Sequence, residues 1–287
     1  MEIRLYKSGN EFAKLNNELL KKSPHYTNTL FILNNINEFN NKNFVISYDS
    51  FHVISYREKM YLLGSSDKLE EIIKDLYLRN VIFKHIYTSN VKFINLLKKL
   101  YNFKISFESK SYFVEETNIR RAVFAGGCFW CMAHPYYKEN GVLNVYSGYA
   151  GGTKLNPTYK ETKEGLNDYF ESVLIVYDTN KTCYKNLLKL YFESIDPFDS
   201  LGQFIDKSRS YSTRIFTNNH SNIEAFYSYK NQIELKYKKE VKVLLENDTI
   251  FYMAEEEHQG FEFKNKSRFL QEEKESGREN FDFVKLD

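Results

Sequence analysis

Several features that would point to a membrane or nucleic-acid partner are missing from this 287-residue sequence. No apolar run approaches the ~18–20 residues that a membrane-spanning helix needs. The first residues contain no apolar core of signal-peptide length. The formal net charge is only +2, which is too small to favour nucleic acid or a membrane surface as a partner. We therefore expect a cytoplasmic protein.

Cysteine is also scarce, with three residues in the chain. In a cytoplasmic protein, so few cysteines indicate chemistry or metal binding rather than a framework of structural disulfides. Cys183 stands alone before a predicted helix, and we interpret it as structural, because free cysteines are often small, buried apolar groups. Cys128 and Cys131 remain as candidates for chemistry.

The length suits one large or two ordinary domains, and the pattern changes near residue 117. Residues 1–117 are predicted to form a helix, strands, a helix, a strand, a helix and a strand. This order predicts a small α+β domain and weakly resembles the N-terminal half of an acetyltransferase-like fold. A Gly-rich pyrophosphate loop is missing, which argues against acetyl-CoA binding. We predict an accessory or docking domain of unknown role, or an interaction module independent of residues 118–287.

Hydrophobic periodicity places the elements of both parts. In the first part it predicts helices over 11–22, 68–78 and 91–101, and strands over 44–48, 51–56, 60–63 and 105–114. In the second part it predicts helices over 129–139, 185–195 and 222–232, and strands over 121–125, 171–177, 212–216 and 241–245. Mixed helices and strands imply an α+β layer fold for residues 118–287 as well.

The most informative segment is Gly126-Gly127-Cys128-Phe129-Trp130-Cys131. A predicted strand precedes it, two glycines form a turn, and a predicted helix follows. Cys128 would lie at a helix N-terminus, where backbone N–H groups stabilise a thiolate. Cys131 lies one turn later on the same face, close enough for a disulfide. The spacing predicts a redox nucleophile with its own resolving thiol.

Further motifs follow in order along residues 119–287. They are Ser147-Gly148-Tyr149-Ala150-Gly151-Gly152, Asn156-Pro157-Thr158-Tyr159, Glu171, Asp196-Pro197, Asp206, Tyr211, Ala254-Glu255-Glu256-Glu257-His258-Gln259 and Ser276-Gly277-Arg278. With the Gly127-Cys128-Phe129-Trp130 motif, this series resembles the peptide methionine sulfoxide reductases of the A type, which are specific for the S epimer. Cys131 after the tryptophan is typical of a G-C-F-W-C subgroup. The resemblance implies a two-layer mixed-sheet catalytic domain.

The resemblance also implies a reaction sequence. Cys128 attacks the sulfoxide sulfur and becomes a sulfenic acid. Cys131 then resolves it as a Cys128–Cys131 disulfide, which thioredoxin or another dithiol reduces. No bound cofactor and no metal are implied, and the expected partners are oxidised proteins or peptides and thioredoxin. Many members carry resolving cysteines near the C-terminus, but this sequence has none after Cys183.

The remaining site residues receive roles from the same resemblance. Glu171 is the expected proton donor for the leaving oxygen, with a pKa raised by burial. Tyr159 and Tyr211 are the expected hydroxyl donors that hold this oxygen. Phe129 and Trp130 are expected to receive the S-methyl group.

Two features concern the substrate rim. Asp206 is expected to accept a backbone N–H from the substrate peptide. Ser208-Arg209-Ser210 stands where the family has Gly-Thr-Gln, and Asp168-Tyr169-Phe170 stands where it often has Gly-His-Ala. These departures affect the shape of the rim rather than the reaction.

Two other readings of the cysteine motif remain open. A thioredoxin-like thiol–disulfide oxidoreductase also places C-x-x-C between a strand and a helix, although it does not explain the later motifs. A zinc module is possible because Cys128, Cys131 and His134 have C-x-x-C-x-x-H spacing, with His220 or His258 as a distant fourth ligand. Zinc sites more often use a second closely spaced pair, which the sequence does not offer.

Overall fold

The computed structural model describes residues 3–6, 9–16, 43–57, 59–79, 81, 84–88, 90–101, 105–108, 111–114 and 118–286. The chain divides into two compact units, Met1–Thr117 and Asn118–Asp287. Residues 17–22 of the first predicted helix lie outside the described residues. Within the described part of the chain, no helix is both long and apolar enough to cross a membrane.

The first unit contains one mixed sheet with helices in its connections. Its strands are β1 (Ile3–Leu5), β2 (Phe44–Tyr48), β3 (Phe51–Tyr56), β4 (Lys59–Gly64), β5 (His85–Tyr87), β6 (Ile105–Glu108) and β7 (Ser111–Val114). Its described helices are α1 (Gly9–Leu15), α2 (Leu69–Leu78) and α3 (Val91–Tyr101). The strand order is β1-β2-β3-β4-β5-β7-β6, and only the β4/β5 pair is parallel.

Local sequence explains much of this sheet. Antiparallel β2 and β3 are joined by Asp49-Ser50, and Asp49 adopts the positive φ of 51° that a tight hairpin turn requires. Because α2 intervenes between β4 and β5, the chain returns in the same direction and these strands pair in parallel. The predicted strands β2, β3 and β4 are confirmed. The prediction of one strand over 105–114 is wrong, because β6 and β7 fold back on each other as an antiparallel hairpin.

The second unit also mixes helices and strands. Its strands are β8 (Ile119–Ala125), β9 (Val142–Ala150), β10 (Phe170–Asp178), β11 (Arg214–Phe216), β12 (Leu244–Glu246) and β13 (Tyr252–Met253). Its helices are α4 (Phe129–Ala133), α5 (Tyr159–Lys163), α6 (Tyr184–Phe192), α7 (His220–Tyr237), α8 (Phe261–Lys264) and α9 (Lys266–Ser276). The α+β prediction for this unit is confirmed.

Strand β10 lies inside the sheet of the second unit, whose order is β12-β11-β8-β10-β9-β13. It pairs antiparallel with both β8 and β9. Its first eight residues, Phe170 to Tyr177, are buried. This explains the nearly continuous apolar run of a strand covered on both faces. The end of β8 therefore lies beside the start of β10, where the predicted nucleophile segment and Glu171 meet.

Several predicted boundaries differ from the structure. The helix predicted over 129–139 is α4 followed by a 3₁₀ segment over His134–Lys138. Pro135 explains the change, because it lacks the N–H that an α-helix would use. The strands predicted over 212–216 and 241–245 are shorter or shifted. The observed strands are β11 and β12, because only residues 214–216 and 244–246 pair with each other, in parallel register.

Several elements were not predicted from periodicity. The longest of them are β9 and α9. The glycine-rich motif that begins at Ser147 is the buried end of β9 up to Ala150, and the turn starts at Gly151. A Cβ on Gly148 would lie 2.2 Å from the carbonyl oxygen of Tyr252 on the neighbouring strand. Glycine is therefore required at that position by the close approach of two backbones.

Candidate active site

The cysteine motif lies at the junction of β8 and α4. Gly127 has φ +86°, and a Cβ there would lie 2.7 Å from Cβ of Gln203, so only glycine fits this turn without strain. Cys128 is the N-cap residue of α4 and is partly exposed, whereas Cys131 is buried. Both thiols are free. The predicted strand–turn–helix setting of the two cysteines is confirmed.

Glu171 lies near the start of β10, the strand that pairs directly with β8 beside this turn. It is 1% exposed, and its Oε2 accepts a hydrogen bond of 3.1 Å from the backbone N–H of Phe129. Its Oε1 is buried and has no partner at strict hydrogen-bond geometry among the described residues, although the Tyr211 hydroxyl is close enough to act on this carboxyl group as a donor. Burial, followed by the nearby Cys128 charge, raises the pKa of Glu171 well above its usual range. This environment favours the protonated form of the carboxyl group, which is the form that can donate a proton.

The two thiols share their environment. A hydrogen bond with Cys131, then burial, raises the pKa of Cys128, while the same bond lowers the pKa of Cys131. Hydrogen bonds from the backbone N–H groups of Trp130 and Cys131 lower the pKa of Cys128, as expected at a helix N-terminus, but their effect is smaller. The thiol–thiol hydrogen bond and burial outweigh these N–H groups, so the pKa of Cys128 is not lowered as its position at a helix N-terminus predicts.

Aromatic rings enclose the exposed side of the motif. Phe129 is 1% exposed and Trp130 7% exposed. The ring of Tyr159 lies 6.0 Å from that of Phe129 and 6.4 Å from that of Trp130. Phe261 stacks on Trp130 with ring centroids 3.8 Å apart and planes 6° apart. The Trp130 ring is therefore fixed in place, and its Nε1 is buried without a partner among the described residues.

The predicted polar residues converge on Glu171. The pKa values of Tyr159 and Tyr211 are raised, first by burial and second by the Glu171 charge. The pKa of Asp206 is raised by partial burial, and its charge acts on both Glu171 and Tyr211. Residues that are separated by up to 83 positions in sequence (128 and 211) therefore influence one another electrostatically in one site.

Two residues of this site, Glu255 and Gln259, received no role from the sequence. Glu255 accepts hydrogen bonds from the hydroxyl of Tyr149 (2.7 Å) and from the backbone N–H of Tyr159 (2.9 Å). Gln259 bridges the backbone of Ser147 through both of its amide atoms. Both residues belong to the Glu-His-Gln motif, which was recognised in the sequence, but the sequence did not predict the contacts of their side chains.

His258 completes the aromatic enclosure. Its ring lies 4.3 Å from that of Tyr159, 5.4 Å from that of Phe129 and 5.7 Å from that of Trp130. Burial lowers its pKa, so the imidazole is neutral at neutral pH. Both ring nitrogens are buried without a hydrogen-bond partner among the described residues. Burying unpaired polar atoms costs about 1–3 kcal/mol each, a cost that a bound ligand can offset.

Arg278 supports the thiol segment from behind. Its guanidinium donates to the carbonyl oxygens of Gly126 (3.3 Å) and Ser194 (2.8 Å). The side chain is 8% exposed and lies over the ring of Phe204 at 4.4 Å. The Ser276-Gly277-Arg278 motif is thereby explained, because Arg278 stabilises the turn before Cys128 by hydrogen bonding to it.

The interpretation of Cys183 as a buried structural residue is wrong. Cys183 is exposed and is the N-cap residue of α6. The apolar residues Tyr184, Leu187 and Leu188 occupy the buried face of this helix. This orientation leaves position 183 in solvent.

The structure also bears on the zinc reading of the motif. Nδ1 of His134 lies 2.7 Å from Oε2 of Glu262, and the ring of Phe269 stacks on the same imidazole at 5.5 Å. Among the described residues, no group of three or more His, Cys, Asp or Glu side chains is arranged to hold a metal ion.

Comparison with known proteins agrees with this arrangement. Residues 120–286 match the family model of peptide methionine sulfoxide reductase. An MsrA of Halalkalibacterium halodurans is 41% identical over 168 residues, which are 58% of this chain and 96% of that protein. MsrA 2 of Lactococcus lactis is 38% identical over 156 residues, 54% of this chain and 91% of that protein.

The chain is also similar to solved structures of methionine sulfoxide reductases. The methionine sulfoxide reductase A of Corynebacterium diphtheriae has 26% sequence identity and a TM-score of 0.48, covering 53% of this chain and 77% of that one. Reduced Mxr1 of Saccharomyces cerevisiae has 24% identity and a TM-score of 0.48, covering 57% of this chain and 91% of that one.

The family-model match spans more than half of the chain. The chain therefore belongs to the peptide methionine sulfoxide reductase family, a class of thiol-dependent oxidoreductases. The resemblance inferred from the ordered sequence motifs is thereby confirmed for residues 120–286.

Proposed function

We propose that residues 118–287 reduce methionine S-sulfoxide, free or in peptides, with Cys128 as the nucleophile and Cys131 as the resolving thiol. The observation that carries this proposal is the position of two free thiols beside a buried glutamate. Glu171 has a raised pKa and a carboxyl oxygen without a partner among the described residues. A proton donor and a nucleophile in one aromatic pocket are the groups that sulfoxide reduction requires.

In the first step, Cys131 starts as a thiolate and takes the proton of Cys128 along their hydrogen bond, and the Cys128 sulfur then attacks the sulfoxide sulfur. Glu171 gives its proton to the sulfoxide oxygen, which Tyr159 and Tyr211 hold by hydrogen bonds. The oxygen ends on Cys128 as a sulfenic acid, and methionine leaves. The sulfoxide sulfur gains two electrons, and Cys128 loses two.

In the second step, the Cys131 sulfur attacks the sulfenic sulfur of Cys128, and the oxygen leaves as water. A Cys128–Cys131 disulfide remains. A dithiol donor, with thioredoxin as the proposed partner, supplies two electrons and two protons to restore both thiols. The position of Cys131 one helical turn after Cys128 supports this direct route.

The kinds of side chain around Cys128 support selection of one epimer. Phe129 and Trp130 offer aromatic rings to the S-methyl group, with contacts worth about 0.3–1.5 kcal/mol each. Glu171, Tyr159 and Tyr211 offer hydrogen bonds to the oxygen. The opposite epimer exchanges these two groups, which puts an unpaired oxygen against the rings. Asp206 is proposed to accept a backbone N–H from the substrate.

The test is NADPH consumption with thioredoxin and thioredoxin reductase, with each sulfoxide epimer of a blocked methionine supplied separately. We expect turnover with the S epimer alone. Turnover with neither epimer, together with reduction of protein disulfides, would favour the thioredoxin-like reading.

A second arm tests the resolving thiol. Cys131→Ser is expected to release about one methionine per enzyme with thioredoxin and then to stop, because the sulfenic acid has no neighbouring thiol. Cys183→Ser is the matched control and keeps full turnover. Sustained turnover of Cys131→Ser with thioredoxin would remove Cys131 from the cycle.

A further inference from the structure

Two segments that depart from the family pattern meet beside the candidate active site. Residues 168–170 end at the first residue of β10, and residues 208–210 precede Tyr211. The guanidinium carbon of Arg209 lies 4.4 Å from the ring centroid of Phe170. Phe170 is buried, whereas Arg209 is exposed. The two departures are therefore parts of one contact, in which a buried ring holds an exposed cation.

Both sides of this contact adjoin residues that are proposed to bind the sulfoxide. Phe170 immediately precedes Glu171, and Arg209 lies between Asp206 and Tyr211 in the chain. Because successive side chains of a strand point to opposite faces, the Phe170 ring and the Glu171 carboxyl group lie on opposite sides of β10. Arg209 therefore lies outside the aromatic pocket, on the rim of the site at the start of this strand.

A second arginine contacts the same ring. The guanidinium carbon of Arg214 lies 3.9 Å from the Phe170 centroid. Its charge is offset, because its Nε lies 2.6 Å from Oε1 of Glu246. In the part of the second unit that the structure describes, Arg209 forms no such ion pair. Two cations therefore share one ring, and a carboxylate is paired with only one of them.

The other charged groups near Arg209 are already engaged. Asp168 accepts hydrogen bonds from the backbone N–H of Thr153 (2.9 and 3.0 Å) and from its hydroxyl (2.8 Å). Burial is outweighed by these bonds and by the smaller effect of the Arg209 charge, so the pKa of Asp168 is lowered. Lys207, the other cation of this rim segment, pairs with Asp199. The N–H donors of Arg209 thus remain available to a ligand.

The chemistry of a guanidinium indicates what this ligand is. Its planar array of donors matches the two oxygens of a carboxylate. The nearby carboxyl groups of Asp168 and Asp206 oppose a doubly charged phosphate more strongly than a singly charged carboxylate. The ring contact with Phe170 also restricts the side chain, so that less conformational entropy is lost on binding. These properties favour the carboxylate of an acidic side chain.

We propose that Arg209 binds an aspartate or glutamate of the substrate peptide, one or two residues from the methionine sulfoxide, and thereby selects acidic sequences. The inference rests on the proposed function. An extended peptide advances about 3.3 Å per residue, so a side chain at this distance from the sulfoxide extends beyond the pocket and over its rim. Asp206, which is proposed to accept a backbone N–H of the substrate, directs the peptide along the segment that continues to Arg209.

The test uses short peptides with methionine S-sulfoxide at the centre. One of the two positions on either side carries Glu, Gln or Lys in turn, and the other positions are neutral. The readout is the burst of methionine formed without reductant, measured against peptide concentration. It separates the maximal rate of the reduction step from the half-saturating concentration and does not depend on recycling.

For the parent we expect Glu, compared with Gln, to lower the half-saturating concentration about three- to fivefold at one or more of these positions. This is the size of effect that an exposed ion pair gives at its upper end. Lys at the same position should raise the half-saturating concentration. The maximal rate should stay unchanged, because Arg209 does not touch the reacting atoms.

Three variants assign the preference to one side chain. Arg209→Gln removes the charge, and the Glu and Gln peptides should become equal. Arg209→Lys keeps the charge without the planar donors and should retain part of the preference. Lys160→Gln is the matched control, because it removes one positive charge from an exposed residue of α5 beside Tyr159. It should keep the full preference for Glu.

Ionic strength and a small substrate distinguish binding from structural support. The preference of the parent for Glu should shrink as salt rises, because the screening length falls from about 10 Å at 0.1 M to about 3 Å at 1 M. Arg209→Gln should show no such salt effect. A blocked methionine S-sulfoxide has no neighbouring residue that could reach the rim, so its burst should be the same in the parent and in Arg209→Gln.

Each contrary outcome has one meaning. Equal bursts from the Glu, Gln and Lys peptides in the parent overturn the inference, as does a loss of preference in Lys160→Gln that equals the loss in Arg209→Gln. A fall of the burst in Arg209→Gln that is equally large with the blocked substrate also overturns it, because Arg209 would then only support Phe170. Absence of a burst in the parent with every substrate overturns the proposed function itself.

Discussion

In the first unit, buried polar side chains bond to one another. In the second unit, several of them have no partner among the described residues. In the first, Ser47 Oγ lies 2.5 Å from Nδ1 of His52, and the hydroxyl of Tyr48 donates to Asp75 at 2.6 Å. In the second, Oε1 of Glu171 and both ring nitrogens of His258 are buried with no partner at strict hydrogen-bond geometry among the described residues.

This difference distinguishes buried polar groups that stabilise the fold from those that are available to bind a ligand. A buried pair such as Ser47 and His52 satisfies both partners when the chain folds. An unpaired buried atom costs about 1–3 kcal/mol, and in the second unit the chain bears this cost beside its two thiols. Buried but unpaired atoms that surround a nucleophile therefore indicate the functional site more directly than burial alone.

Replacing the nucleophile is the strongest way to sharpen this comparison. Cys128→Ser is expected to lower sulfoxide reduction by at least about 10³-fold, because a hydroxyl does not replace a thiol as the nucleophile. Methionine release from the S epimer is the measurement, and Cys183→Ser is the control in the same unit. Multiple turnovers by Cys128→Ser would contradict the assignment.

The unpaired carboxyl group gives the next largest effect. Glu171→Gln is expected to slow the burst by about 10²- to 10⁴-fold, because the amide does not donate an acidic proton. The pKa of Glu171 is raised by burial, so its protonated, active form is present below the raised pKa. The burst rate of the parent should fall as the pH rises through that value.

Glu164→Gln is the matched control for this change, since Glu164 is exposed at the end of α5. It should keep the rate and the pH profile of the parent. A Glu171→Gln variant with a parental burst rate would remove Glu171 as the proton donor and would weaken the link between unpaired atoms and function.

The smallest expected effect concerns the paired histidine of the first unit. Burial lowers the pKa of His52 to about 4 from its usual 6.5. Between these values the unfolded state binds a proton that the folded state does not, so the stability of the first unit is full above pH 6.5 and falls as the pH drops towards 4. Amide hydrogen exchange of the β2–β3 peptides, corrected for intrinsic rates, measures this loss.

His52→Gln should flatten that pH dependence, because glutamine retains hydrogen bonding without titrating in this range. His85→Gln, at a half-buried histidine on β5, is the control and should leave it unchanged. A parent whose β2–β3 protection is the same at pH 7 and pH 5 would contradict the inferred neutral state of His52.

Local patterns predicted those elements whose residues contact their own neighbours in sequence. The hairpin strands β2 and β3 and the amphipathic helices α2 and α3 follow from periodicity and turn residues. Strand β9 was not predicted, because it ends in the glycine-rich segment that begins at Ser147, and such a composition is typical of a turn. Its glycine at 148 is required by the carbonyl of Tyr252 on β13, a contact across about 100 residues.

By itself, the sequence determined the reaction family and the two thiols, because the ordered motifs and the C-x-x-C spacing are local features. Tertiary structure alone decided that Glu255 holds the backbone of Tyr159 and that burial raises the pKa of Glu171. It also placed Cys183 in solvent. These properties depend on burial and charge, which arise only when strand register brings distant segments of the chain together.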